Sequence, residues 1–379
     1  MLFQNRTLFA RHGIHIMVEN GTANFRKFSA ACMADGRFDD YVLQNALDDR
    51  ATHAQFYEQF LQEFHNEIKG LGQDIHTVIL SGEHLSSSIS TSGEVAHVHA
   101  ILAPLFNNIR VICYLRDQVS LYAASYTQSL KSGQATGFGD PVAACNPTAP
   151  FFNHALMLQN WAESFGKSAL DIRLFLRGEW LSGDLIDDFL KDIDPDLAGK
   201  IKRADINRNP SLNHHGQMLL RAINQAVPTQ YGRLNHVRYN LIKICETHFC
   251  GAGQFPTPDE QAQIYEAFKT SNAQIAQDYL GRADDLFAPP AYDVGLMPIE
   301  PDFITAIATL LSALVQEDTV ILPGLYTDIF RDAATQLESQ DLELSFKLMH
   351  LASIMRPAGA TIQQKMKEYN ARLADKDGL

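Results

Sequence analysis

One stretch decides how this chain folds: Ile109-Arg-Val-Ile-Cys-Tyr-Leu-Arg116-Asp-Gln-Val-Ser120-Leu-Tyr-Ala-Ala-Ser125-Tyr126. Apolar, β-branched and aromatic residues run up to Arg116, and a segment with helical spacing follows it. This pattern predicts a buried strand that carries a guanidinium group at its C-terminal end. In open α/β sheets ligands bind beyond that edge, where an arginine and helix N-termini favour a phosphate. We therefore expect a phosphate site at Arg116.

Composition limits the classes of protein to which this chain can belong. The 379 residues are 46% hydrophobic and 20% charged, which is enough apolar material for a sizeable core. The balance of 31 Lys and Arg against 44 Asp and Glu gives a net charge of −13. Such a charge argues against a general nucleic-acid binder or a binder of anionic membranes.

The five cysteines show neither a disulfide framework nor paired CxxC motifs, so we expect reduced thiols in a cytoplasmic protein. Cys245, His248 and Cys250 offer zinc-type ligands, but they lie where a helix is predicted to end, and we expect no metal. No apolar run approaches the roughly 18 residues that a membrane span needs. The first residues also lack the order of a signal peptide.

Strand and helix patterns alternate along the first half of the chain. Phe56, Phe60, Phe64 and Ile68 repeat every four residues and predict an amphipathic helix. A short strand is predicted at 77–80, a helix at 94–105 and another strand at 170–176, in addition to the strand that ends before Arg116. Repeated helix and strand units predict an α/β fold with a mostly parallel sheet flanked by helices.

The second half of the sequence predicts helices. They cover 185–190, 213–227, 234–249 and 258–280, and a proline-rich linker follows at 288–300. Residues 301–379 predict a helical extension with a single tetratricopeptide-like helix pair and a closing helix. Because one such repeat cannot bury its own apolar face, we expect it to pack on the domain formed by residues 1–287.

Four groups of residues suggest a family. They are Leu80-Ser-Gly-Glu83-His-Leu85, Leu115-Arg116 with Ser125-Tyr126 and Leu130-Lys131-Ser-Gly133, Asn207-Arg-Asn-Pro-Ser-Leu212, and Ser271-Asn272 with Leu286-Phe287. In order and spacing they resemble the bacterial sulfotransferase-like proteins of the P-loop superfamily. The resemblance implies a P-loop-like fold and a co-substrate, 3′-phosphoadenosine 5′-phosphosulfate (PAPS). It also implies transfer of a sulfuryl group to a hydroxyl of a carbohydrate or related metabolite.

The resemblance assigns roles on the donor side. Arg116 would hold the 3′-phosphate, since a planar guanidinium matches phosphate oxygens. A serine on the next helix would assist it, but Ala124 occupies the position of that serine, so Ser120 or Ser125 would have to substitute. Asn207 and Arg208 would contact the nucleotide or the acceptor, or simply form the loop before a capped helix. The alternative for Arg116 is a surface ion pair with an acidic neighbour.

On the acceptor side, Glu83 would be the general base that removes a proton from the attacking hydroxyl. His84 is the alternative base. The structural alternatives are a carboxylate that caps the turn at Ser86 and a solvated histidine.

The family's opening strand and its loop Gly-x-x-Lys-x-Gly-Thr-Thr/Ser have no counterpart in this sequence. Residues 1–14 resemble the end of the helix that follows that loop, so we expect a start that is about 20–25 residues late. Loss of this central strand would leave two neighbouring strands with unpaired backbone groups. We therefore expect transferase activity only if the N-terminus is completed. The alternative functions are a catalytically degenerate binding or scaffold protein, and a nucleotide-dependent glycosyltransferase.

Overall fold

The computed structural model describes residues 1–203, 210–226, 236–291, 325–339, 342–356 and 359–377. The chain divides into two compact units, Met1–Ile299 and Glu300–Leu379. Of the predicted linker 288–300, residues 292–300 lie outside the described ranges. No helix within these ranges is both long and apolar enough to cross a membrane.

The described strands of the first unit form two parallel pairs. They are β1 (Ile14–Ile16), β2 (Thr77–Ile79), β3 (Val111–Leu115) and β4 (Leu170–Leu174). β1 pairs with β2 with Ile14 opposite Thr77, and β3 pairs with β4 with Val111 opposite Leu170. Strands alternate with helices, so the mixed α/β character predicted from the sequence is confirmed. The sequence predicted one sheet, whereas no ladder between described residues joins β2 to β3.

The helices connect these strands and follow them. In the first unit they are α1 (Leu2–Arg11), α2 (Arg26–Cys32), α3 (Asp40–Gln44), α4 (Arg50–Lys69), α5 (His84–Ser87), α6 (Ser92–Leu102), α7 (Gln118–Lys131), α8 (Pro141–Ala144), α9 (His154–Phe165), α10 (Leu185–Leu190), α11 (His214–Ala226), α12 (His236–His248) and α13 (Pro258–Leu280). In the second unit they are α14 (Leu325–Leu337), α15 (Leu342–Met355) and α16 (Ala360–Asp377).

Local capping sets several of these helix starts. The carboxylate of Asp49 accepts hydrogen bonds from the backbone at the start of α4, and Asp117 does the same for α7. Thr91 and Glu94 form a capping box at α6. The Thr257 side chain forms the equivalent box at α13, which begins with a proline in its first turn. These short-range signals explain why α10 and α13 have the bounds that the sequence predicts.

Helices cover both faces of the strands. On one face, Phe28 and Phe64 pack with apolar residues of α6 and α9 and with Leu115 of β3 in the main core. On the other face, Phe9 of α1 packs with Ile14 of β1 and with Leu190 of α10. A parallel sheet buried on both faces is the usual arrangement of α/β proteins.

The helix positions also set the order of the strands. The connections from β1 to β2, β2 to β3 and β3 to β4 contain α4, α6 and α9, and all three helices contribute to the same core. Crossovers between parallel strands are almost always right-handed. Because all three crossover helices lie on one face, right-handed connections place each new strand on the same side of the strand before it. The strands therefore lie in the order β1, β2, β3, β4. Two edges that have no ladder partner among the described residues, one of β2 and one of β3, therefore face each other.

The second unit contains three described helices with a core of its own. Ala334, Met349, Ala352, Ile362 and Tyr369 form this core and are all buried. The Tyr369 hydroxyl donates to Glu338 Oε2 at 2.6 Å, and the ammonium of Lys365 lies 2.8 Å from the same oxygen. These contacts join α16 to the end of α14. The described residues of the second unit thus form three helices around one core.

Candidate functional site

Arg116 lies directly after β3, at the C-terminal edge of the strands. Its side chain is half-buried, and its guanidinium carbon lies 5.9 Å from the centre of the Phe175 ring, which follows β4. This distance allows a cation–π contact. The guanidinium forms no hydrogen bond or salt bridge with another described residue, so the ion-pair alternative has no support there. None of its five N–H donors is taken by a residue that the structure describes, and a guanidinium in this state can bind an anion.

His154, at the start of α9, supports the backbone at this point. Its Nε2 lies 2.8 Å from the carbonyl oxygen of Arg116, and the residue is only 6% exposed. Burial lowers the pKa of His154, although the hydrogen bond to that carbonyl acts in the opposite direction. The neutral ring with its proton on Nε2 therefore donates to Arg116. Sequence reasoning missed His154 because this contact spans 38 residues and has no local signal.

Replacement of His154 by leucine is expected to lower the free energy of unfolding by about 1–3 kcal/mol at pH 7.5, because the buried carbonyl loses its donor. The folded-state pKa lies below the unfolded value of about 6.5. This contribution is therefore complete above pH 6.5 and is lost as the pH falls through the folded pKa. Urea unfolding at pH 7.5 and pH 5 should show a smaller difference between wild type and variant at pH 5. The matched control is leucine at the exposed His76, and a pH-independent difference for His154 would contradict the prediction.

The first turn of α7 follows Arg116 immediately. The Asp117 carboxylate accepts a hydrogen bond from the backbone N–H of Ser120 at 2.8 Å, and Ser120 is buried. Ser125 lies further along the helix, and its hydroxyl donates to the carbonyl of Tyr122 at 2.8 Å. Of the two predicted serines, Ser120 is therefore the one in the helical turn next to Arg116. The Asp117 carboxylate is negative, so attraction of an anion to this edge depends on the guanidinium.

Glu83 and His84 form a pair at the end of β2. Glu83 Oε1 lies 3.3 Å from His84 Nε2, with the Glu83 side chain 69% exposed and that of His84 18% exposed. The hydrogen bond from His84 lowers the pKa of Glu83, so its carboxylate is ionised at neutral pH. The hydroxyls of Ser86 and Ser87 bond to the backbone carbonyl of Glu83 and not to its carboxylate. The carboxylate therefore does not cap that turn, and His84 is more enclosed than a solvated histidine.

A polar cluster that sequence reasoning missed adjoins this pair. Arg26 lies 2.7 Å from Asp40 and 3.0 Å from Asp39, and Asn24 Nδ2 lies 3.4 Å from Glu83 Oε1. Burial acts to raise the pKa of Asp40, but the hydrogen bond and charge of Arg26 outweigh burial and lower it. Asn24 Oδ1 and Arg26 Nε are buried without a hydrogen-bond partner among the described residues. The cluster thus retains hydrogen-bonding capacity beside Glu83.

The loop before α2 brings this cluster to the strand edge. The backbone N–H of Phe25 donates to the carbonyl of Ser81 at 2.9 Å, which holds Asn24 and Arg26 beside the end of β2. No sequence periodicity marks these two residues. Their only signal is that they follow a strand. That strand, β1, is three residues long, which is too short to give a clear sequence pattern.

The predicted site residues form two groups at one edge of the strands. Glu83 and His84 follow β2, and Arg116 and Ser120 follow β3, but no hydrogen bond or ion pair joins Glu83 or His84 to Arg116 or Ser120. Asn207 and Arg208 lie outside the described residues. A shallow surface depression along α4 contains none of the site residues.

The described ranges contain no group of three or more His, Cys, Asp or Glu side chains that could hold a metal ion. Of the zinc-type ligands considered from the sequence, Cys245 is buried and Cys250 is exposed. Burial raises the pKa of the Cys245 thiol to about 11. This thiol is therefore neutral near pH 7.

Comparison with known proteins gives a limited result. No family model and no solved structure matches the chain. A protein of Archaeoglobus fulgidus that is described as uncharacterized is 28% identical over 180 residues. The match covers 46% of this chain and 48% of that protein, so the chain spans about half the length of the relative it matches. An argument about function therefore rests on the site itself.

Proposed function

We propose that this chain is a sulfotransferase-like protein. It binds PAPS at the edge of β3 and transfers the sulfuryl group to a hydroxyl of a carbohydrate or related metabolite. The observation that carries the proposal is the guanidinium of Arg116, which stands at the C-terminal end of a parallel strand with no ionic partner among the described residues. Ligands of α/β sheets bind at this edge.

The donor side fits the 3′-phosphate of PAPS. A guanidinium presents parallel N–H groups that match two phosphate oxygens, and Arg116 has not committed these groups to a described carboxylate. The Phe175 ring and the hydrogen bond from His154 hold the side chain and its backbone in place. Ser120 would add its hydroxyl from the first turn of α7. The 5′-phosphosulfate has no such counterpart, since the sequence lacks the glycine-rich loop with its lysine.

On the acceptor side, Glu83 would remove the proton while the acceptor oxygen attacks sulfur in line with the departing phosphate. Its carboxylate is exposed and ionised, as a general base must be. A lowered pKa weakens a base. His84 is the alternative base, through Nδ1, since its Nε2 donates the hydrogen bond to Glu83. Asn24, whose Nδ2 lies 3.4 Å from Glu83 Oε1, would hold that carboxylate in position. Sulfuryl transfer in this scheme uses no metal.

Calorimetric titration with 3′-phosphoadenosine 5′-phosphate (PAP) tests the proposal. Replacement of Arg116 by alanine is expected to raise the Kd for PAP about 10- to 100-fold, because charge-assisted hydrogen bonds to the phosphate are lost. Replacement by lysine should recover only part of the affinity, since an ammonium lacks the planar fork.

The matched control is Arg110→Ala. Arg110 is exposed at the other end of the same strand, where its guanidinium donates to the carbonyl of Asp192 at 3.2 Å. Its removal changes the net charge by the same amount, so PAP affinity should stay within about twofold of wild type if bulk charge is unimportant. Equal losses for the two variants, or no PAP binding by the folded protein, would contradict the proposal. The second result would favour the binding or scaffold alternative.

A further inference from the structure

We infer that Ser87 is a nucleophile, activated by His84 and supported by Glu83, and that the chain hydrolyses an uncharged carboxylic ester at this turn. The inference goes beyond the proposed sulfuryl transfer and does not depend on it, although both use Glu83 and His84. Its basis is a relay of three side chains on one helical turn: the Glu83 carboxylate, the His84 ring and the Ser87 hydroxyl. Enzymes activate a serine with this order of acid, base and nucleophile.

The His84 ring contacts Glu83 through one nitrogen and Ser87 through the other. Its Nε2 lies 3.3 Å from Glu83 Oε1, and its Nδ1 lies 3.4 Å from Ser87 Oγ. An ionised carboxylate only accepts hydrogen bonds, so Nε2 carries the proton of the neutral ring and Nδ1 has the lone pair. That lone pair faces the Ser87 hydroxyl and can take its proton. Both distances are at the long end for hydrogen bonds, as is common for catalytic groups before a substrate binds.

The backbone of this turn is fixed by its neighbours. The N–H of Ser87 donates to the carbonyl of Glu83 at 3.3 Å, and the N–H of Ser88 donates to the carbonyl of His84 at 2.9 Å. Ser88 is buried, and its hydroxyl donates at 2.9 Å to Asp39 Oδ2, which ties the turn to the start of α3. His84 and Ser87 are three residues apart, so their side chains lie on one side of the turn. The pair therefore meets without a change in the backbone.

Two neighbouring serines differ in their contact with the base. Ser86 and Ser87 are both exposed, so a reagent in solution can reach either hydroxyl. The Ser86 hydroxyl donates to the carbonyl of Glu83 at 2.9 Å and not to His84. Ser87 Oγ lies 3.4 Å from both that carbonyl and His84 Nδ1, so its proton can turn to either acceptor. Ser87 is thus the serine of this turn that has a base within reach.

The charges around the turn favour an uncharged substrate. Arg26, the described cation beside it, lies 3.0 Å from Asp39 and 2.7 Å from Asp40 and is therefore not free to hold an anion. Glu83 is ionised next to His84. An anionic substrate would need a cation to offset these carboxylates. A carboxylic ester carries no charge and needs none, so it is the substrate class that fits this turn.

The reaction has two steps. Ser87 Oγ bonds to the carbonyl carbon of the ester while its proton passes to His84 Nδ1, and the bond from that carbon to the alcohol oxygen then breaks. The alcohol leaves with the proton from Nδ1. Water is the second reactant: it attacks the acyl group on Ser87, its proton passes through Nδ1 to the departing Ser87 oxygen, and the free acid is released. Glu83 stays ionised and stabilises the imidazolium in both steps.

Covalent labelling with diisopropyl fluorophosphate tests the inference on the full chain. The reagent bonds its phosphorus to an activated serine oxygen, and fluoride leaves with the serine proton as hydrogen fluoride. Peptide mapping should place the label on Ser87, and Ser87→Ala should abolish it. His84→Ala should slow labelling about tenfold or more because the base is lost, and added imidazole should restore part of the rate. The matched control is Ser86→Ala, which removes the neighbouring hydroxyl and should react like wild type.

Hydrolysis of p-nitrophenyl acetate measures turnover with the same variants. Wild type and Ser86→Ala should hydrolyse it about tenfold or more faster than Ser87→Ala. Equal rates for wild type and Ser87→Ala would overturn the inference. Equal labelling of Ser86 and Ser87, or no label on the folded protein, would also overturn it.

Labelling that His84→Ala leaves unchanged would show that the ring is not the base and would likewise overturn the inference. If His84→Ala does not fold, Glu83→Gln takes its place, because it removes the charge that favours the proton on Nε2. This variant should slow labelling several-fold, and an unchanged rate would contradict the relay. PAP enters none of these measurements, so their outcome is separate from that of the PAP titration.

Discussion

Replacement of Arg173 by leucine is expected to lower the free energy of unfolding by about 3–5 kcal/mol, the largest effect that we expect from a single polar residue. Arg173 lies on β4 and is only 7% exposed. Its guanidinium lies 2.6 Å from carboxylate oxygens of both Asp171 and Asp192 and 3.3 Å from Asp188 Oδ2. Removal of the cation leaves the buried Asp188 carboxylate without one of its two cationic partners, and Asp171 and Asp192 without Arg173.

Asp188 explains why the loss should be large. It is 2% exposed and also accepts hydrogen bonds from the Lys191 ammonium at 2.8 Å and the Tyr114 hydroxyl at 2.7 Å. Burial acts to raise the pKa of Asp188, but these hydrogen bonds outweigh burial and lower the pKa to about 2. The group therefore stays charged in the folded protein at neutral pH. Without Arg173, the described partners left to stabilise that charge are Lys191, Tyr114 and the backbone N–H of Leu181.

Unfolding in guanidinium chloride at pH 7 measures the change in the free energy of unfolding. The control is Arg203→Leu. Arg203 also contacts two carboxylates, with Asp184 at 2.6 Å, but its side chain is 40% exposed. Solvent screens such pairs, so its removal should change the free energy of unfolding by about 1 kcal/mol or less. Similar losses for the two variants would show that burial is not the source of the Arg173 effect.

Phe64→Ala should lower the free energy of unfolding by a similar amount, about 3–5 kcal/mol, because it removes a large buried ring. Phe64 is 2% exposed and belongs to an aromatic cluster of the main core. Its ring centre lies 5.6 Å from that of Phe28, 5.7 Å from that of Phe60 and 6.2 Å from that of Phe25. Phe25 lies in the loop before α2 and Phe28 lies on α2. Because these two rings belong to a different part of the chain from Phe64, we expect them to move little into the cavity that the alanine leaves.

The control for Phe64 is Phe56→Ala, two turns earlier on the same helix. Phe56 is half-buried, and its ring contacts include Tyr41 at 6.4 Å. Because Phe56→Ala removes less buried apolar surface than Phe64→Ala, it should change the urea midpoint clearly less. If Phe56→Ala destabilised the protein as much as Phe64→Ala, the change would follow from helix propensity or surface effects and not from the core.

Sequence reasoning succeeded where the signal is local. The four-residue spacing of Phe56, Phe60, Phe64 and Ile68 predicted α4, and the structure buries Phe60 and Phe64. Helical spacing predicted a helix over 258–280, and α13 has these bounds, with a capping box at its start. Such patterns depend on residues a few positions apart. For the same reason the strand before Arg116 was evident from the sequence.

The rest depends on contacts between distant residues. The sequence showed a cation after β3, but not that His154 bonds to its carbonyl or that no described carboxylate pairs with it. Asn24 and Arg26 reach Glu83 only because β1 and β2 pair. The division of the strands into two pairs likewise depends on hydrogen bonds between distant residues. Hydrophobic periodicity does not predict which strands pair.

The open edge between β2 and β3 also affects how the first unit resists force and fluctuation. Each strand pair is locked by a directional backbone ladder, whereas packed apolar side chains and isolated polar contacts such as His12 with Asp194 hold the two pairs to each other. Apolar packing permits sliding that a ladder forbids. We therefore expect the two strand pairs to behave as separate foldons, with partial unfolding that begins between them before either pair unravels.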